Sequence, residues 1–178
     1  MRNPVLVAND FVSALAQLLV NPALRDTFSS NPQTAADLIN ITGADRQMFV
    51  SLPVAQIERQ ARLLITKRMR EAFVMLPLTV KALGSSAAAY FSEYAAEYWP
   101  DTYRRHAMDA LSFCNFLRSR KLACNQSEYN RVRFKNETKW FRICIVKDAM
   151  TKGKRHYALQ VLYCRKSYYG EWRIYFKA

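Results

Sequence analysis

Glycine is nearly absent from this chain, with four in 178 residues. Phosphate-binding loops need several, because a residue without Cβ lets the main chain close on a phosphate; no P-loop, G-x-G-x-x-G or G-x-S-x-G motif occurs. Histidine is scarcer still. His106 and His156 stand apart, with no H-E-x-x-H or other metal-ligand spacing around either, and His106, on a helix with Ala107 and Ala110, reads as a satisfied structural residue. The four cysteines (Cys114, Cys124, Cys144, Cys164) form no C-x-x-C pair and follow no signal-peptide pattern, which reads as reduced thiols in a cytoplasmic protein. Cys144 and Cys164 fall on neighbouring strands, but a hairpin turning near Lys152 sets Cys144 against a position around residue 159, so no bridge is expected. Long apolar runs are missing too, since Pro77 and Lys81 break the best candidate for a membrane span. The chain is therefore expected to bind no metal or cofactor of its own, to stay out of membranes and not to act as an enzyme alone.

Acidic residues are the other deficit, 14 against 27 Lys and Arg, for a net charge of +13. The imbalance is local: residues 126–178 carry 13 basic and 4 acidic side chains, which is +9 of the total. Such a surface suits an anionic partner, whether an acidic protein face, a nucleic acid or a lipid, or is simply a solvated sheet face. Apolar residues make up 51% of the chain, enough to build a core and to exclude general disorder.

The longest ordered stretch is PVAQIERQARLLITKRMREAFVMLPLTVKALG, beginning at Pro53. Ile57, Ala61, Leu64, Ile65, Ala72 and Met75 recur at helical spacing and form one apolar stripe. Pro53 suits the first helical turn, Pro77 ends the run, and Gly84 closes a short helix over residues 78–83. Upstream, Asn9 or Asp10 opens a helix that stops at Asn21-Pro22. That dipeptide and Asn31-Pro32 each restart a short helix, with Asn as cap and Pro in the first position, over residues 23–29 and 33–39. Thr42-x-x-Asp45 starts another that reaches about Val50. Residues 86–99 and a segment from Tyr103 to about Lys121 complete the helices.

Past Asn125 the period changes to alternation, and four strands are predicted, over residues 129–135, 139–147, 156–166 and 171–177. Short links favour an antiparallel meander in chain order. Alternation puts Val132, Phe134, Phe141, Ile143, Ile145, Tyr157, Leu159, Val161, Trp172, Ile174 and Phe176 on one face, expected to pack on the helices. Arg131, Arg133, Lys135, Arg142, Arg173, Tyr175 and Lys177 fall on the other, expected to form a basic, partly aromatic solvent face. The expected fold class is thus α+β: an all-helical domain over residues 1–123, then an antiparallel sheet of about four strands over 124–178.

Two mechanisms use such a sheet. Aromatic rings between cations stack bases while Lys and Arg meet phosphates, although no K/R-G-F-G-F-type signature occurs. Alternatively, a free edge accepts an extended peptide as an extra strand; edge lysines and arginines also serve simply to prevent such pairing.

LLITKRMREAFVMLPLTVKALG, with LAQLLVNPALRDTF before it and AAAYFSEYAAEYWP after it, resembles the helical partner proteins that accompany multinuclear non-haem iron oxidative enzymes in ribosomal-peptide biosynthesis. Lys67-Arg68, Leu76-Pro77-x-Thr79 and Leu83-Gly84 carry most of the likeness, which spans Phe11 to Leu117. The length and the basic, strand-rich tail are similar to the methanobactin branch of that family. The resemblance implies a non-catalytic subunit in a heterodimer with the iron-dependent enzyme of methanobactin biosynthesis B type, helping to hold the leader of a precursor peptide. In such a complex the iron belongs to the partner, which oxidises a precursor cysteine with dioxygen to an oxazolone and adjacent thioamide of a copper-chelating product. On this reading the helical domain docks the enzyme, through Lys67, Arg68 and Arg70, and the sheet docks the peptide. The favoured edge is the last strand, with Trp172, Arg173, Ile174, Tyr175 and Phe176; the runner-up is the strand carrying Tyr129, Arg131 and Arg133. Binding of single-stranded nucleic acid by the basic tail is the rival function.

Overall fold

The computed structural model describes residues 10–100, 105–137, 139–148, 156–165 and 168–177. Its architecture is α+β. Helices α1 (Phe11–Val20), α2 (Pro22–Ser30), α3 (Pro32–Leu38), α4 (Gly43–Val50), α5 (Val54–Met75), α6 (Pro77–Leu83), α7 (Ala87–Glu97), α8 (Arg105–Ser119) and α9 (Gln126–Asn136) precede strands β1 (Phe141–Asp148), β2 (His156–Arg165) and β3 (Tyr168–Lys177). The strands form one antiparallel sheet in the order β1-β2-β3. The chain divides into two compact units, one of residues up to Met69 with Phe91–Trp99, the other of Arg70–Tyr90 with residues from Pro100 onward. Neither unit matches the division at residue 123 that the change of period suggests, because α5 and α7 each contribute to both.

In the first unit the capping chemistry acts as the sequence predicts. The Asp10 carboxylate accepts the Ser13 N–H, Asn21 accepts that of Leu24, and Asn31 accepts those of Gln33 and Thr34. Ala14, Leu18, Leu24, Phe28, Ala35, Ala36, Ile39, Ile41, Phe49 and Ile57 form the core. Phe28 meets Phe49 edge-on at 5.1 Å. Arg25 is buried against the end of α1, where its guanidinium donates to the carbonyls of Leu18 and Leu19.

In the second unit α9 overturns one expectation. Residues 129–135, read as a first strand, are helical, and the sheet therefore has three strands. Asn125 caps α9 by accepting the Glu128 N–H at 3.1 Å. The side of the helix that becomes buried is mainly polar: Ser127, Glu128 and Asn130 beside Val132 and Phe134. A helix that buries polar groups shows no apolar stripe, so the alternation of Val132 and Phe134 mimics a strand.

Those polar groups are fully partnered. Glu128, 0% exposed, accepts the Leu78 N–H at 2.7 Å and both the N–H and hydroxyl of Thr79 at 2.8 Å. It thereby supplies the acceptors that α6 lacks at its own start, where no side chain caps the helix. Gln160 of β2, also fully buried, donates to the Ser127 carbonyl and hydroxyl at 2.9 Å and to Glu171 at 3.0 Å, and accepts from Asn130 at 3.1 Å. Together these bonds fasten α9 to one face of the sheet.

Candidate functional site

The face under α9 is not the one the sequence suggests. Val146, Ala158, Gln160 and Leu162 are buried there, together with half-buried Arg142, Cys144, Glu171 and Arg173. The opposite face carries the apolar set and is open to solvent. Across it, direct partners run Phe141, Tyr163 and Gly170; Ile143, Val161 and Trp172; Ile145, Leu159 and Ile174; and Tyr157 with Phe176. Ile145 is 69% exposed and Trp172 66%, and Phe141, Ile143, Ile174 and Phe176 are exposed as well. Within β1 to β3 alternation sorted the residues into faces correctly, while Arg131, Val132, Arg133, Phe134 and Lys135 belong to a helix and to neither face. The polar clasp around Gln160 decides which face that helix covers.

The rings on this face are ordered among themselves. Trp172 meets Tyr163 edge-on at 5.7 Å, and Tyr157 stacks on Phe176 at 6.2 Å. The Tyr163 ring lies over Gly170, where any Cβ would collide with it. Gly170 thus serves as the slot that lets an aromatic side chain lie flat on the neighbouring strand.

β3 is an edge strand, and the register fixes which of its main-chain groups are unpaired. The Cys164 N–H donates to the Trp140 carbonyl at 2.8 Å, so this pair and every second pair along the β1-β2 ladder (Arg142 with Leu162, Cys144 with Gln160) exchange hydrogen bonds. Tyr157, Leu159, Val161 and Tyr163 then point their main-chain groups at β3, where they meet Phe176, Ile174, Trp172 and Gly170. The N–H and C=O groups of Tyr169, Glu171, Arg173 and Tyr175 therefore face outward along the edge.

Behind that edge, on the α9 side, lies a cavity of about 230 Å³ lined by Arg131, Phe134 and Lys135 of α9, Leu162 of β2 and Tyr169, Gly170 and Glu171 of β3. The Lys135 ammonium sits 5.7 Å from the centre of the Tyr169 ring, and Phe134 meets that ring edge-on.

The structure separates the residues singled out from the sequence. Trp172, Ile174 and Phe176 come together on the open face, while Arg173 and the exposed Tyr175 lie on the other side of the same strand. Tyr129, Arg131 and Arg133 do not form an edge strand: all three are on α9. Arg131 approaches Glu171 at 3.6 Å, Arg133 pairs with Glu137 at 3.1 Å, and the Tyr129 ring packs under the Arg118 guanidinium. Glu137 also meets Arg142 at 2.8 Å, and Glu171 pairs with Arg173. The arginines of the expected basic face are thus spent on the tail's few carboxylates and do not line an aromatic platform.

Of the residues assigned to enzyme docking, Lys67 and Arg70 are exposed but Arg68 is buried. Its guanidinium lies 4.3 Å from the Trp99 ring and donates to the Tyr98 carbonyl at 2.9 Å. Neither contact could be found from spacing, because both partners lie past the end of α7. Phe141, Ile143 and Ile145, whose alternation predicts packing on the helices, instead join Trp172, Ile174 and Phe176 on the open face, and exposure is the feature that alternation alone does not reveal.

The register sets Cys144 opposite Gln160 and Cys164 opposite Tyr169, and all four cysteines are free thiols. His106 pairs with Glu71. Among the described residues no group of three or more His, Cys, Asp or Glu side chains is placed to hold a metal ion. No single described helix is long and apolar enough to cross a membrane; Val54–Met75 and Pro77–Glu97 pass by length and composition only as a pair, bent by 110°.

Glu171 links edge, cavity and clasp, and its titration offers a test. Burial alone raises its carboxyl, but hydrogen bonds from Arg173 and Gln160 and the charges of Arg173 and Arg131 outweigh this and hold it below the ordinary glutamate value. A depressed folded-state pKa gives stability that is present above the unfolded value of about 4.3 and is lost as pH falls through the folded value. In urea titrations, wild type is expected to exceed Glu171→Gln most at pH 6, with the gap closing as pH drops below about 4. A gap independent of pH would mean that the carboxylate's charge contributes nothing.

In comparisons with known proteins, no family model, no curated protein and no solved structure matches this chain.

Proposed function

We propose that this chain is the non-catalytic subunit of a heterodimeric peptide-modifying complex in the cytoplasm, resembling methanobactin biosynthesis protein C. It holds the leader of a ribosomally made precursor while an iron-dependent partner oxidises a precursor cysteine, with dioxygen, to an oxazolone and thioamide. One observation carries the reading: β3 is an unpaired edge whose outward main-chain groups lie between an open apolar face and a small lined cavity. An extended peptide added there would pair its main chain with Tyr169, Glu171, Arg173 and Tyr175 and send alternate side chains to the two sides.

Co-expression with the neighbouring open reading frames tests it. An iron protein is expected to co-purify, and the precursor is expected to change mass only when both proteins are present. Modification by the iron protein alone would remove the role assigned to this chain. A gel shift with single-stranded oligonucleotide that weakens steeply with salt would instead favour the nucleic-acid reading.

A further inference from the structure

We infer that the open sheet face, and not the Lys67/Arg70 side of α5, is the surface that seats the partner enzyme. The inference rests on the accessory-subunit reading above and names the interface that reading requires.

Six side chains carry it: Phe141, Ile143, Ile145, Trp172, Ile174 and Phe176, each between 42% and 69% exposed. Aromatic side chains bury roughly 150–250 Å² each, so six large apolar groups about half open present on the order of 600 Å². That is the upper end for the largest patch on a monomer and approaches the roughly 800 Å² that each partner gives to a standard interface. The centre of the patch is free of charge and has rings at its ends, as the cores of such interfaces do.

Three occupants fit an apolar face, and two conflict with what surrounds it. A second copy would bring +13 against +13, with +9 of each in the tail itself, so close approach carries strong like-charge repulsion. A lipid surface would have to take up a flat sheet whose outer strands β1 and β3 are both unpaired at their edges, leaving main-chain groups without water or partners in hydrocarbon. A folded protein meets neither obstacle. Its rigid apolar patch leaves the sheet edges hydrated, and an acidic rim complements the basic tail, steering encounter and fixing orientation. The occupant is therefore a folded partner with an apolar patch ringed by carboxylates.

The geometry also places the two ligands of the subunit side by side. A peptide strand on the β3 edge continues the sheet, so every second side chain extends the face on which the enzyme rests. Leader and enzyme then share a boundary, and each is expected to bind more tightly in the presence of the other.

The test uses the full chain and the iron-dependent partner that the accessory-subunit reading expects to co-purify from co-expression with the neighbouring open reading frames. Ile145→Asp with Ile174→Asp puts two charges in the middle row of the face, and Trp172→Ser is the milder second variant. Circular dichroism reports folding, and light scattering after gel filtration reports the complex. The expected result is at least a hundredfold weaker heterodimer for the aspartate pair, at least tenfold for Trp172→Ser, and no change for Lys67→Glu with Arg70→Glu. Folded variants that still pair like wild type overturn the face assignment and leave the accessory role standing. Wild type that forms no complex overturns that role and this inference with it. A wild-type homodimer that the aspartate pair converts to monomer, or wild-type binding to phosphatidylserine vesicles that the pair abolishes, also overturns it.

Discussion

Glu128→Ala is expected to cost about 3–5 kcal/mol of folding stability, the range for removing one side of a buried charged network. The carboxylate is completely buried and accepts three hydrogen bonds, from the main chain of Leu78 and Thr79 and from the Thr79 hydroxyl. Arg131 stands 3.8 Å from it on the next turn of α9. Alanine leaves the first free N–H groups of α6 without acceptors, and each buried, unsatisfied donor costs about 1–3 kcal/mol. Glutamine keeps the shape and one acceptor oxygen but loses the charge at a helix start, so it should fall between wild type and alanine. Against a total of about 5–15 kcal/mol for a domain, the alanine variant approaches the margin of folding. Urea denaturation followed by circular dichroism measures the loss; a change below about 1 kcal/mol would show that water replaces the carboxylate and that α6 is not held by it.

That bond also marks where the sequence stops being legible. Punctuation acts locally, so Asn-Pro restarts, Pro53, Pro77 and Gly84 located α2, α3, α5 and α6 to within a residue or two. The α+β class and the strands now numbered β1 to β3 were visible in the change of period. α9 was not, because its buried groups are polar and their partners are remote: Thr79 lies 49 residues from Glu128, and Gln160 lies 33 from Ser127. A signal did exist. Asn125-x-x-Glu128 has the spacing of a capping box, and weighing it above the brief alternation of Val132 and Phe134 would have given a helix. Glu128 then departs from the usual box by reaching to α6, while the Asn125 N–H donates to the Thr79 hydroxyl.

The sheet faces follow the same logic. Period-two alternation tells which residues share a side, but it is silent on which side is covered. Burying the apolar face would be the default, and here a glutamine at the centre of β2 reverses it. Gln160 must pair both its amide hydrogens and its carbonyl, and finds partners in α9 and Glu171. Its NH2 is shared among the Ser127 carbonyl, the Ser127 hydroxyl and Glu171, and its carbonyl accepts from Asn130. The helix therefore sits on the polar side and leaves the isoleucines, tryptophan and phenylalanines in water. Exposed apolar patches of this extent mark interaction sites or ligand-binding grooves in other proteins, which is the basis of the partner assignment proposed above. The buried Arg68 gives the complementary case, a cation expected at the surface that Trp99 and the Tyr98 carbonyl draw inside.

If this chain is the leader-binding subunit proposed above, proline at position 175 is expected to weaken leader binding by at least about tenfold while the heterodimer survives. The β2-β3 register points the Tyr175 N–H away from β2, so Tyr175→Pro removes a donor from the free edge and breaks no bond of the ladder. The same holds for Arg173→Pro, which additionally gives up the pairing with Glu171. Proline at the neighbouring Ile174 differs in kind, because that N–H points into the sheet and its loss should unravel β3 itself. A main-chain hydrogen bond contributes roughly 0.5–1.5 kcal/mol net, and the proline ring also obstructs the approach of an added strand, which together give the tenfold expectation. Tyr175→Ala separates the side chain from the main chain: it should leave most of the affinity, since alanine keeps the N–H. Fluorescence anisotropy with the labelled leader of the precursor that the proposed role requires supplies the affinities, and gel filtration with the proposed iron-dependent partner supplies the control. If the Arg173→Pro, Tyr175→Pro double variant binds that leader as tightly as wild type, the peptide does not add to β3.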